Sequence, residues 1–292
     1  MPNNNNNYKP KPFVKWAGGK RQLLPDLLNN LPNNFDRYFE PFVGAGALFF
    51  ELSFENSIIV DLNSDLINTY EVIRDNVNEL IKILKVHKKN HGERYYYKMR
   101  GLKTRKTKSL DIPDEELINI ENLNITEKAA RFIYLNRTCY NGLYRINRNG
   151  EFNVPLGSYK NPTICNEENL RKISQVLKNT DIINGDFEVI KEKYKIKKGD
   201  FVYFDPPYVP LSETSDFTSY TAEGFNKKEQ LRLVKLFKYI DKKGGYCMLS
   251  NSETNFVREH YKNFNITEVK ASRAINCKGK KRGQITELII TN

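Results

Sequence analysis

A glycine-rich turn between two apolar runs constrains the fold of this 292-residue chain more than any other feature. The segments 38–42 and 57–61 predict short buried strands, and the residues between them predict a tight turn followed by a helix. Gly44 and Gly46 lie in the turn, and Asp61 closes the second strand. A strand, a helix and a second strand in this order form a β-α-β unit, which belongs to a parallel sheet. We therefore expect an α/β fold.

The rest of the pattern indicates an α/β domain that is interrupted by an insertion. Further helices are predicted at 65–76, 79–91, 127–136 and 227–242, and further strands at 181–184, 201–205, 246–250, 264–271 and 285–291. Between residues 92 and 162 no parallel-strand pattern occurs, although the turn 148–151 predicts a β-hairpin. We therefore expect an inserted, mainly helical domain over 68–164.

The tetrapeptide Asp205-Pro206-Pro207-Tyr208 directly follows the apolar run 201–204. Two consecutive prolines fix two φ angles and present carbonyl groups without N–H donors. The strand end therefore offers a carboxylate, backbone acceptors and an aromatic ring together, which suits an exocyclic amino group on a planar base. The alternative interpretation is an ordinary turn between a strand and a loop, with the aspartate as a helix cap.

Three acidic residues are predicted at strand ends, where open α/β sheets bind their ligands. Asp61 can accept hydrogen bonds from two ribose hydroxyls, and Asp186 can accept one from an adenine amino group while Phe187 lies on the ring. The third is Asp205. The dinucleotide pattern G-x-G-x-x-G fails at its third glycine, where Phe49 stands. These residues therefore favour S-adenosylmethionine, a nucleoside without phosphates, over a nicotinamide dinucleotide.

The charge favours an anionic polymer as the partner. Lys and Arg number 47 against 35 acids, for a net charge of +12. The run 88–108 holds nine of the basic residues and one acid, and Tyr95, Tyr96 and Tyr97 interleave with them. Cations among aromatic rings suit a phosphate backbone with stackable bases, although a solvated helix face is an open alternative. A second basic cluster comprises Lys270, Arg273, Lys278, Lys280, Lys281 and Arg282.

Cysteine and histidine spacing indicates neither a disulfide framework nor a metal site. The four cysteines form no C-x-x-C pair, which fits a reducing cytoplasm. His87 and His91 stand four residues apart, but no glutamate lies between them and Lys88 and Lys89 would repel a cation. We expect no metal.

The two remaining expectations concern the chain's beginning and its surroundings. Residues 1–7 contain five asparagines and lack the apolar core of a secretion signal, so we expect a disordered tail. No apolar segment approaches the length that spans a bilayer, so we expect a soluble, cytoplasmic protein without a membrane partner.

The chain resembles the DNA adenine methyltransferases of the Dam family, and in particular the members that modify GATC. The matching segments are 13–20, 40–50, 61–66, 140–145, 150–155, 185–187 and 205–208, and the resemblance runs from residue 12 almost to the end. It implies a Rossmann-like, S-adenosylmethionine-dependent methyltransferase sheet of seven strands, with an inserted helical DNA-recognition domain. The catalytic domain would comprise 8–67 and 165–292, and the target-recognition domain 68–164.

The resemblance also implies a role for each matching residue. S-adenosylmethionine would be held by Trp16, Lys20, Gly44, Gly46, Asp61, Asp186 and Phe187, and the target base by Asp205, Pro206, Pro207 and Tyr208. DNA contacts are implied for Arg137, Tyr140, Asn141, Leu143, Arg145, Pro155, Tyr159 and Lys160. In this family the arginine that matches Arg145 reads a guanine edge, and the tyrosine that matches Tyr140 enters the base stack.

The implied activity is transfer of a methyl group to the N6 amino group of an adenine that has been turned out of duplex DNA. The implied partners are double-stranded DNA and, for some members, a restriction endonuclease that acts on the same site. A monomer would suit a palindrome methylated one strand at a time. The residues alone leave three alternatives open: methylation of cytosine N4, a DNA-binding regulator with a vestigial cofactor fold and, more distantly, a dehydrogenase.

Overall fold

The computed structural model of the protein describes residues 9–209, 225–272 and 284–292. Its strands are β1 (Arg37–Glu40), β2 (Ser57–Asp61), β3 (Thr180–Asn184), β4 (Asp200–Phe204), β5 (Tyr246–Ser252), β6 (Asn265–Ser272) and β7 (Gln284–Thr291). They form one seven-stranded sheet in the order β3-β2-β1-β4-β5-β7-β6. Strand β1 is parallel to β2 and β4, and β4 is parallel to β5, whereas β7 is antiparallel to both β5 and β6. The expected α/β fold with a seven-stranded sheet is confirmed.

The parallel strands bring acidic residues to one edge of the sheet. Strands β1, β2 and β4 run in the same direction, with Phe39 paired to both Ile58 and Val202. The carboxyl ends of parallel neighbours lie at the same edge. Glu40 and Asp61, the last residues of β1 and β2, and Asp205, which follows β4, therefore leave the sheet on one side.

The chain divides into two compact units. One, which we call the helical unit, comprises the described residues of Met1–Ala17, together with Gly44–Glu55 and Asn63–Ile182. The other, the sheet unit, comprises Gly18–Val43, Asn56–Leu62 and the described residues of Ile183–Asn292. These units are defined by compactness, and the functional division at residues 68 and 164 remains a prediction.

The sheet unit has a continuous apolar core between its strands and its helices. The helices are α1 (Leu24–Asn29), α9 (Val189–Lys193), α10 (Lys227–Lys242) and α11 (Asn255–His260). Asn226 caps helix α10, because its side chain accepts hydrogen bonds from the backbone N–H groups of Lys228 and Glu229. Its apolar stripe of Leu233, Phe237 and Ile240 is fully buried. All five residues of β4 are buried as well, so the strand that precedes Asp205 is held firmly in the core.

The helical unit is built around α7. Its helices are α2 (Ala47–Leu52), α3 (Ser64–Asp75), α4 (Val77–Asn90), α5 (Glu93–Arg100), α6 (Arg105–Ser109), α7 (Ile125–Thr138) and α8 (Glu167–Leu177). Helix α7 packs against α3, α4 and α5, and α8 packs against α3 and α4. A capping box of Asn124 and Glu127 begins α7. The sequence analysis does not predict α8, although its buried stripe of Leu170, Ile173 and Leu177 has helical spacing.

The structure corrects the interpretation of the tyrosines in the basic run 88–108. Tyr96 is fully buried and its hydroxyl donates a hydrogen bond to the Val154 carbonyl, 2.9 Å away. Tyr97 is buried too, beneath the Arg100 guanidinium. These rings pack in the protein interior, because their large apolar area stabilises the fold there, and they are not available to stack on bases. Four of the cations form ion pairs with acids: Arg94 and Lys98 with Glu116, Lys103 with Asp114, and Lys106 with Glu93.

The predicted β-hairpin is present only in reduced form. Ile146 and Phe152 form a single antiparallel bridge, and no strand extends from it. The turn between them is closed by the Asn147 side chain, which accepts hydrogen bonds from the backbone N–H groups of Asn149 and Glu151. Two backbone hydrogen bonds join the arms, from the Asn147 N–H to the Glu151 carbonyl at 2.9 Å and from the Asn153 N–H to the Arg145 carbonyl at 3.1 Å.

Two predictions lie outside the described residues: the tail 1–7 and the second basic cluster beyond Lys270. Within the described ranges, no helix is long and apolar enough to cross a membrane. The same residues contain no group of three or more histidine, cysteine, aspartate or glutamate side chains that is placed to hold a metal ion.

His87 is a buried base in the helical unit. Its Nδ1 lies 2.7 Å from the Tyr95 hydroxyl, its ring stacks on Tyr134, and its Nε2 has no partner among the described residues. Burial lowers the pKa of His87 to about 4, and the positive charge of Arg131 acts in the same direction. The folded protein therefore keeps this imidazole neutral at pH values where the unfolded chain protonates it.

We predict that this histidine makes the fold sensitive to mild acid. The unfolding free energy is unaffected by protonation of this histidine above pH 6.5. It decreases as the pH falls from 6.5 towards 4, because only the unfolded chain binds a proton in that window. Between pH 7 and pH 5 the wild type should lose about 2 kcal/mol of unfolding free energy more than His87→Gln. Urea unfolding at the two pH values measures this difference. His260→Gln is the matched control and should follow the wild type; equal losses in all three proteins would contradict the prediction.

Candidate active site

Asp205 is held at the end of β4 by an ion pair with Lys20. The Lys20 Nζ lies 2.7 Å from Asp205 Oδ1, and the two side chains are 7% and 20% exposed. No described residue donates a hydrogen bond to Asp205 Oδ2. Burial raises the pKa of the Asp205 carboxyl, the Lys20 ammonium opposes this rise, and the Glu287 carboxylate adds to it. The carboxylate thus has one oxygen anchored by a cation and one oxygen open to another donor.

The Lys20 ammonium has two further contacts in the sheet unit. It donates a hydrogen bond to the Gly18 carbonyl, 2.8 Å away, and it lies 4.6 Å from the centre of the Tyr208 ring. Lys20 contacts Asp205, Gly18 and Tyr208 in the structure, and its predicted role in cofactor binding stays a prediction. The arrangement places a nitrogen donor between a carboxylate and the face of an aromatic ring, which is the environment an amino group on a base would require.

Tyr208 is oriented by Glu287. The Tyr208 hydroxyl donates a hydrogen bond to Glu287 Oε2, 2.7 Å away, and burial together with the carboxylates of Asp205 and Glu287 raises the pKa of this phenol. Glu287 lies on β7, within the alternating polar and apolar residues of that strand. This alternation marks Glu287 as a residue on one face of the sheet, but it does not indicate which tyrosine the side chain meets.

The two proline carbonyls have different surroundings. The Pro207 carbonyl accepts a hydrogen bond from Gln230 Nε2 on α10, 2.9 Å away, whereas no described residue donates to the Pro206 carbonyl. Val209, just beyond the tetrapeptide, is bound through its backbone to the side chains of Asn251 and Ser252 on β5. The segment is therefore fixed from both sides, and the Pro206 carbonyl remains able to accept.

Acidic and phenolic groups surround this site. The Tyr38 hydroxyl donates a hydrogen bond to the buried Glu40, 2.6 Å away, and the Tyr203 hydroxyl lies 3.0 Å from Ser250 Oγ. Burial and the nearby carboxylates raise the pKa values of Tyr38 and Tyr203. Three acids, Glu40, Asp205 and Glu287, thus influence this region, where the Lys20 cation is bound. Such a field favours positive charge that develops during a reaction.

Asp61 is the last residue of β2, and Asp186 follows the adjacent strand β3. The backbone N–H of Gly185 and the side chain of Asn184 donate hydrogen bonds to the Asp61 carbonyl, at 3.1 Å and 3.0 Å. Asp186 is 43% exposed and forms an ion pair with Arg232. The Phe187 ring is buried and stacks on Phe42 with 5.2 Å between ring centres. The backbone at Asp61 is therefore bound to the segment that leads into Asp186, at the end of the neighbouring strand.

In the glycine turn of the helical unit, the backbone lies close to neighbouring side chains, as the two glycines predict. Gly44 and Gly46 both have positive φ, and the Tyr70 hydroxyl donates a hydrogen bond to the Gly44 carbonyl, 3.0 Å away. A Cβ atom at Gly44 would lie 2.8 Å from Trp16 Cδ1, and one at Gly46 would lie 2.8 Å from the Tyr70 hydroxyl. Any larger residue would therefore displace Trp16 or Tyr70.

Trp16 is also fixed by an aromatic neighbour that the sequence analysis does not single out. Its ring stacks on Tyr144, with ring centres 5.6 Å apart, and the Tyr144 hydroxyl donates a hydrogen bond to Asp65. Asp65 follows Asp61 in the same matching segment, but the pattern of the chain does not pair it with a tyrosine so far along the sequence. These contacts place Trp16 beside the segment that was predicted to contact DNA.

That segment, residues 140–145, projects exposed side chains from a rigid support. The Asn136 side chain accepts a hydrogen bond from the Lys15 N–H group. Its amide nitrogen donates to the carbonyls of Lys15 and Gly142. Tyr140 is 53% exposed, Asn141 and Arg145 are exposed, and Leu143 is half-buried. Three of the predicted DNA contacts, Tyr140, Asn141 and Arg145, therefore extend into solvent.

The other predicted DNA contacts have mixed surroundings. The Arg137 guanidinium donates hydrogen bonds to the carbonyls of Pro12 and Phe13, which makes it an anchor for the N-terminal segment. Pro155 and Lys160 are exposed, and Tyr159 has the Lys15 ammonium 3.7 Å from its ring centre.

Comparisons with known proteins identify relatives along the whole chain. A family model described as the D12 class of N6 adenine-specific DNA methyltransferases matches residues 16–275. The chain is 46% identical over 284 residues to the type II methyltransferase M1.LlaDCHI of Lactococcus lactis subsp. cremoris, with 97% of this chain and 95% of that protein covered. It is 45% identical over 301 residues to the type II methyltransferase M.MjaIII of Methanocaldococcus jannaschii, with 97% and 99% covered. It is 33% identical over 284 residues to the DNA adenine methylase of Escherichia coli strain K12, with 96% and 95% covered.

We predict that Lys20 and Glu287 shift the pKa of Asp205 in opposite directions. Lys20→Met should raise it, because the cation that stabilises the carboxylate is removed, and Glu287→Gln should lower it, because a repelling charge is removed. Carbon-13 NMR titration of aspartate side chains measures both, with Asp205→Asn to assign the resonance. Lys20→Arg preserves the charge and is the control. Shifts of the same sign in the first two variants would refute this electrostatic assignment.

Proposed function

Because the chain belongs to the D12 class of N6 adenine-specific DNA methyltransferases, we propose that it methylates adenine within GATC, after turning the base out of duplex DNA. The broader activity follows from family membership: the protein is an adenine-specific DNA methyltransferase, and its substrate is DNA. The recognition sequence, the extrusion of the base and the role of each residue belong to the proposal. They rest on the resemblance of the matching motifs and on the geometry around Asp205.

The family implies S-adenosylmethionine as the methyl donor, and the residues present fit it. In the sheet unit, Asp61 at the end of β2 and Asp186 after the neighbouring strand β3 offer acceptors for ribose hydroxyls and for a base amino group. In the helical unit, Gly44 and Gly46 let the backbone lie close to Trp16 and Tyr70, where a side chain would collide. When bound, S-adenosylmethionine supplies a methyl group on a sulfonium centre, which a nitrogen nucleophile can displace.

The single observation that carries the proposed chemistry is the nitrogen donor bound between Asp205 and Tyr208. Lys20 Nζ is bound to Asp205 Oδ1 and lies over the Tyr208 ring. These two side chains therefore accommodate an N–H donor in the surroundings that a base amino group needs. Oδ2 of Asp205 and the carbonyl of Pro206 accept no bond from any described residue. They are available to the two amino protons of adenine.

The adenine amino nitrogen is a poor nucleophile, because its lone pair is delocalised into the ring and is shielded in the duplex. Hydrogen bonds from its two protons to Asp205 and to the Pro206 carbonyl favour a nitrogen whose lone pair points away from them. Tyr208, fixed by Glu287, stacks on the ring and holds it in place. Positive charge develops on the nitrogen as it gains the methyl group, and the carboxylate of Asp205 stabilises that charge. Asp205 therefore acts as an anion, and no covalent intermediate with the protein is required.

The exposed residues of segment 140–145 support the proposal for DNA recognition. Tyr140 is free to enter the base stack, and Arg145 is held by Asn153, with Nε 2.7 Å from Asn153 Oδ1, so that its guanidinium is pre-oriented. We place the target-recognition domain at 68–164, and the catalytic domain in the rest of the chain. Two of the relatives are named type II methyltransferases, which supports a restriction endonuclease that acts on the same site. We propose that the enzyme acts as a monomer in the cytoplasm.

The proposed function is tested with purified protein, plasmid DNA and S-adenosylmethionine. Digestion of the product to nucleosides should yield N6-methyladenine, and single-molecule mapping should place it in GATC. Appearance of N4-methylcytosine would contradict the base assignment. Modification at another sequence would overturn the GATC assignment alone.

We predict that Asp205→Ala abolishes methyl transfer but leaves affinity for duplex DNA within a few-fold of wild type. The carboxylate matters most when charge develops on the nitrogen, so its loss affects the transition state more than binding. Labelled-methyl incorporation and fluorescence anisotropy measure the two quantities. The isosteric Asp205→Asn is the companion variant. Retained transfer in the alanine variant would refute the assignment of Asp205.

We predict that Arg145→Ala loses about 1 to 3 kcal/mol of preference for the cognate base pair. Methylation rates on GATC and on duplexes with one substituted base pair measure this preference. Arg148→Ala, in the neighbouring turn, is the matched control and should keep the wild-type ratio. A uniform loss on all duplexes would instead identify Arg145 as a phosphate contact.

A further inference from the structure

Arg232, on α10, lies at the centre of an acidic cluster that the proposed function does not explain. Its Nη2 donates to Asp186 Oδ1 at 2.7 Å and to Glu188 Oε2 at 2.6 Å, and its Nε donates to Glu188 Oε2 at 2.9 Å. Its Nη1 bonds to Glu229, one turn earlier in the same helix. A single guanidinium thus binds three carboxylates. Glu188 also pairs with Lys191, 2.6 Å away, so Arg232 is the cation that links Asp186 to the two glutamates.

The same guanidinium also lies on the face of an aromatic ring. Its central carbon is 4.8 Å from the ring centre of Phe187, which is buried and stacks on Phe42. A planar cation on an aromatic face is a favourable contact. Arg232 therefore contacts two consecutive residues, Asp186 and Phe187, and both were predicted to bind the cofactor.

The contacts leave one oxygen of Asp186 available. Oδ1 accepts hydrogen bonds from the backbone N–H of Glu188, at 3.0 Å, and from Arg232 Nη2. The only described donor near Oδ2 is Arg232 Nη1, at the long distance of 3.4 Å. The side chain of Asp186 is 43% exposed, so a ligand can approach Oδ2. An exposed carboxylate normally rotates between several conformations, and these two bonds restrict it to one.

We propose that Arg232 is a positioning residue that makes the cofactor site selective for a 6-amino purine. It holds Asp186 with Oδ2 directed to accept the amino group, and it supports the Phe187 ring beside it. The inference rests on the proposed function, since it takes the ligand to be the adenosyl group of the methyl donor. A 6-oxo purine presents an oxygen where the carboxylate requires a donor, so the site rejects it.

The test compares two ligands that differ only at that position, S-adenosyl-L-homocysteine and S-inosyl-L-homocysteine. Isothermal titration calorimetry gives the ratio of their dissociation constants for each protein. The wild type should prefer the 6-amino ligand by at least about tenfold, as expected for a hydrogen bond to a charged acceptor. Arg232→Met should reduce this ratio several-fold, and Arg232→Lys should recover part of it.

Arg258→Met is the matched control. Arg258 is an exposed arginine in the same unit that also bonds to two glutamates, Glu253 and Glu268. This variant should keep the wild-type ratio. The inference is overturned if the wild type does not distinguish the two ligands, if Arg232→Met keeps the wild-type ratio, or if Arg258→Met lowers it equally.

A second variant covers the case in which Arg232→Met does not fold. Asp186→Asn preserves the shape of the side chain but can present a donor to the ligand, so it should lower the ratio as well. An unchanged ratio in Asp186→Asn would refute the inference on its own.

The methylation assay separates this inference from the proposed function. Adenine methylation by a wild type whose ratio is unaffected by Arg232→Met would overturn the role of Arg232 alone. A wild type that shows the expected ratios but methylates no adenine would overturn the proposed function, and it would leave the purine selectivity of Arg232 intact.

Discussion

The ion pair between Lys20 and Asp205 is the interaction on which the candidate active site depends. A carboxylate at the end of a buried strand loses hydration, and burial alone would favour its protonated form. Lys20 supplies a positive charge at 2.7 Å, and it also donates to the Gly18 carbonyl, so the ammonium is itself satisfied. The pair occupies one carboxylate oxygen and leaves the other available. The protein can thereby keep an anion in a shielded position, where its effect on developing charge is greatest.

The same arrangement recurs at Asp186, with a different balance of charge. There a basic residue also binds one carboxylate oxygen, while the other has only a distant donor. Asp205 is mostly buried and forms an ion pair with one lysine. Asp186 is more exposed, and the arginine that binds it, Arg232, also binds two glutamates. Exposure to water lowers the cost of an excess of negative charge. Each acid is therefore fixed in orientation without losing its capacity to accept a hydrogen bond from a ligand.

The net charge of +12 says less about DNA binding than the local arrangement of charges does. In the run 88–108, several cations are bound to acids of the same unit, and Arg100 is buried. By contrast, the segment 140–145 has little formal charge, yet Tyr140 and Arg145 extend into solvent from a backbone that Asn136 holds. Affinity for a polyanion can come from the total charge, but the choice of a sequence requires side chains held in position.

The sequence by itself determined the class of the sheet and the residues that lie at its edge. Apolar runs closed by Asp61 and Asp205, and the acid Asp186 just after a third run, follow from local periodicity, because each strand and its end are contiguous in the chain. The glycine turn and the tetrapeptide at 205–208 are local in the same way. From these the fold class, a nucleoside-binding site and the three acids could be predicted, whereas the reaction class and the other candidate residues were implied by the resemblance to the Dam family.

Only the tertiary structure decided which side chains meet. Lys20 with Asp205, Glu287 with Tyr208, and Arg232 with Asp186 are pairs from distant parts of the chain, and no local pattern specifies them. The tyrosines at 96 and 97 illustrate the same limit, since their spacing among cations fits either a DNA surface or a core. Burial is a property of the whole packed chain, and so are the pKa values and orientations that follow from it.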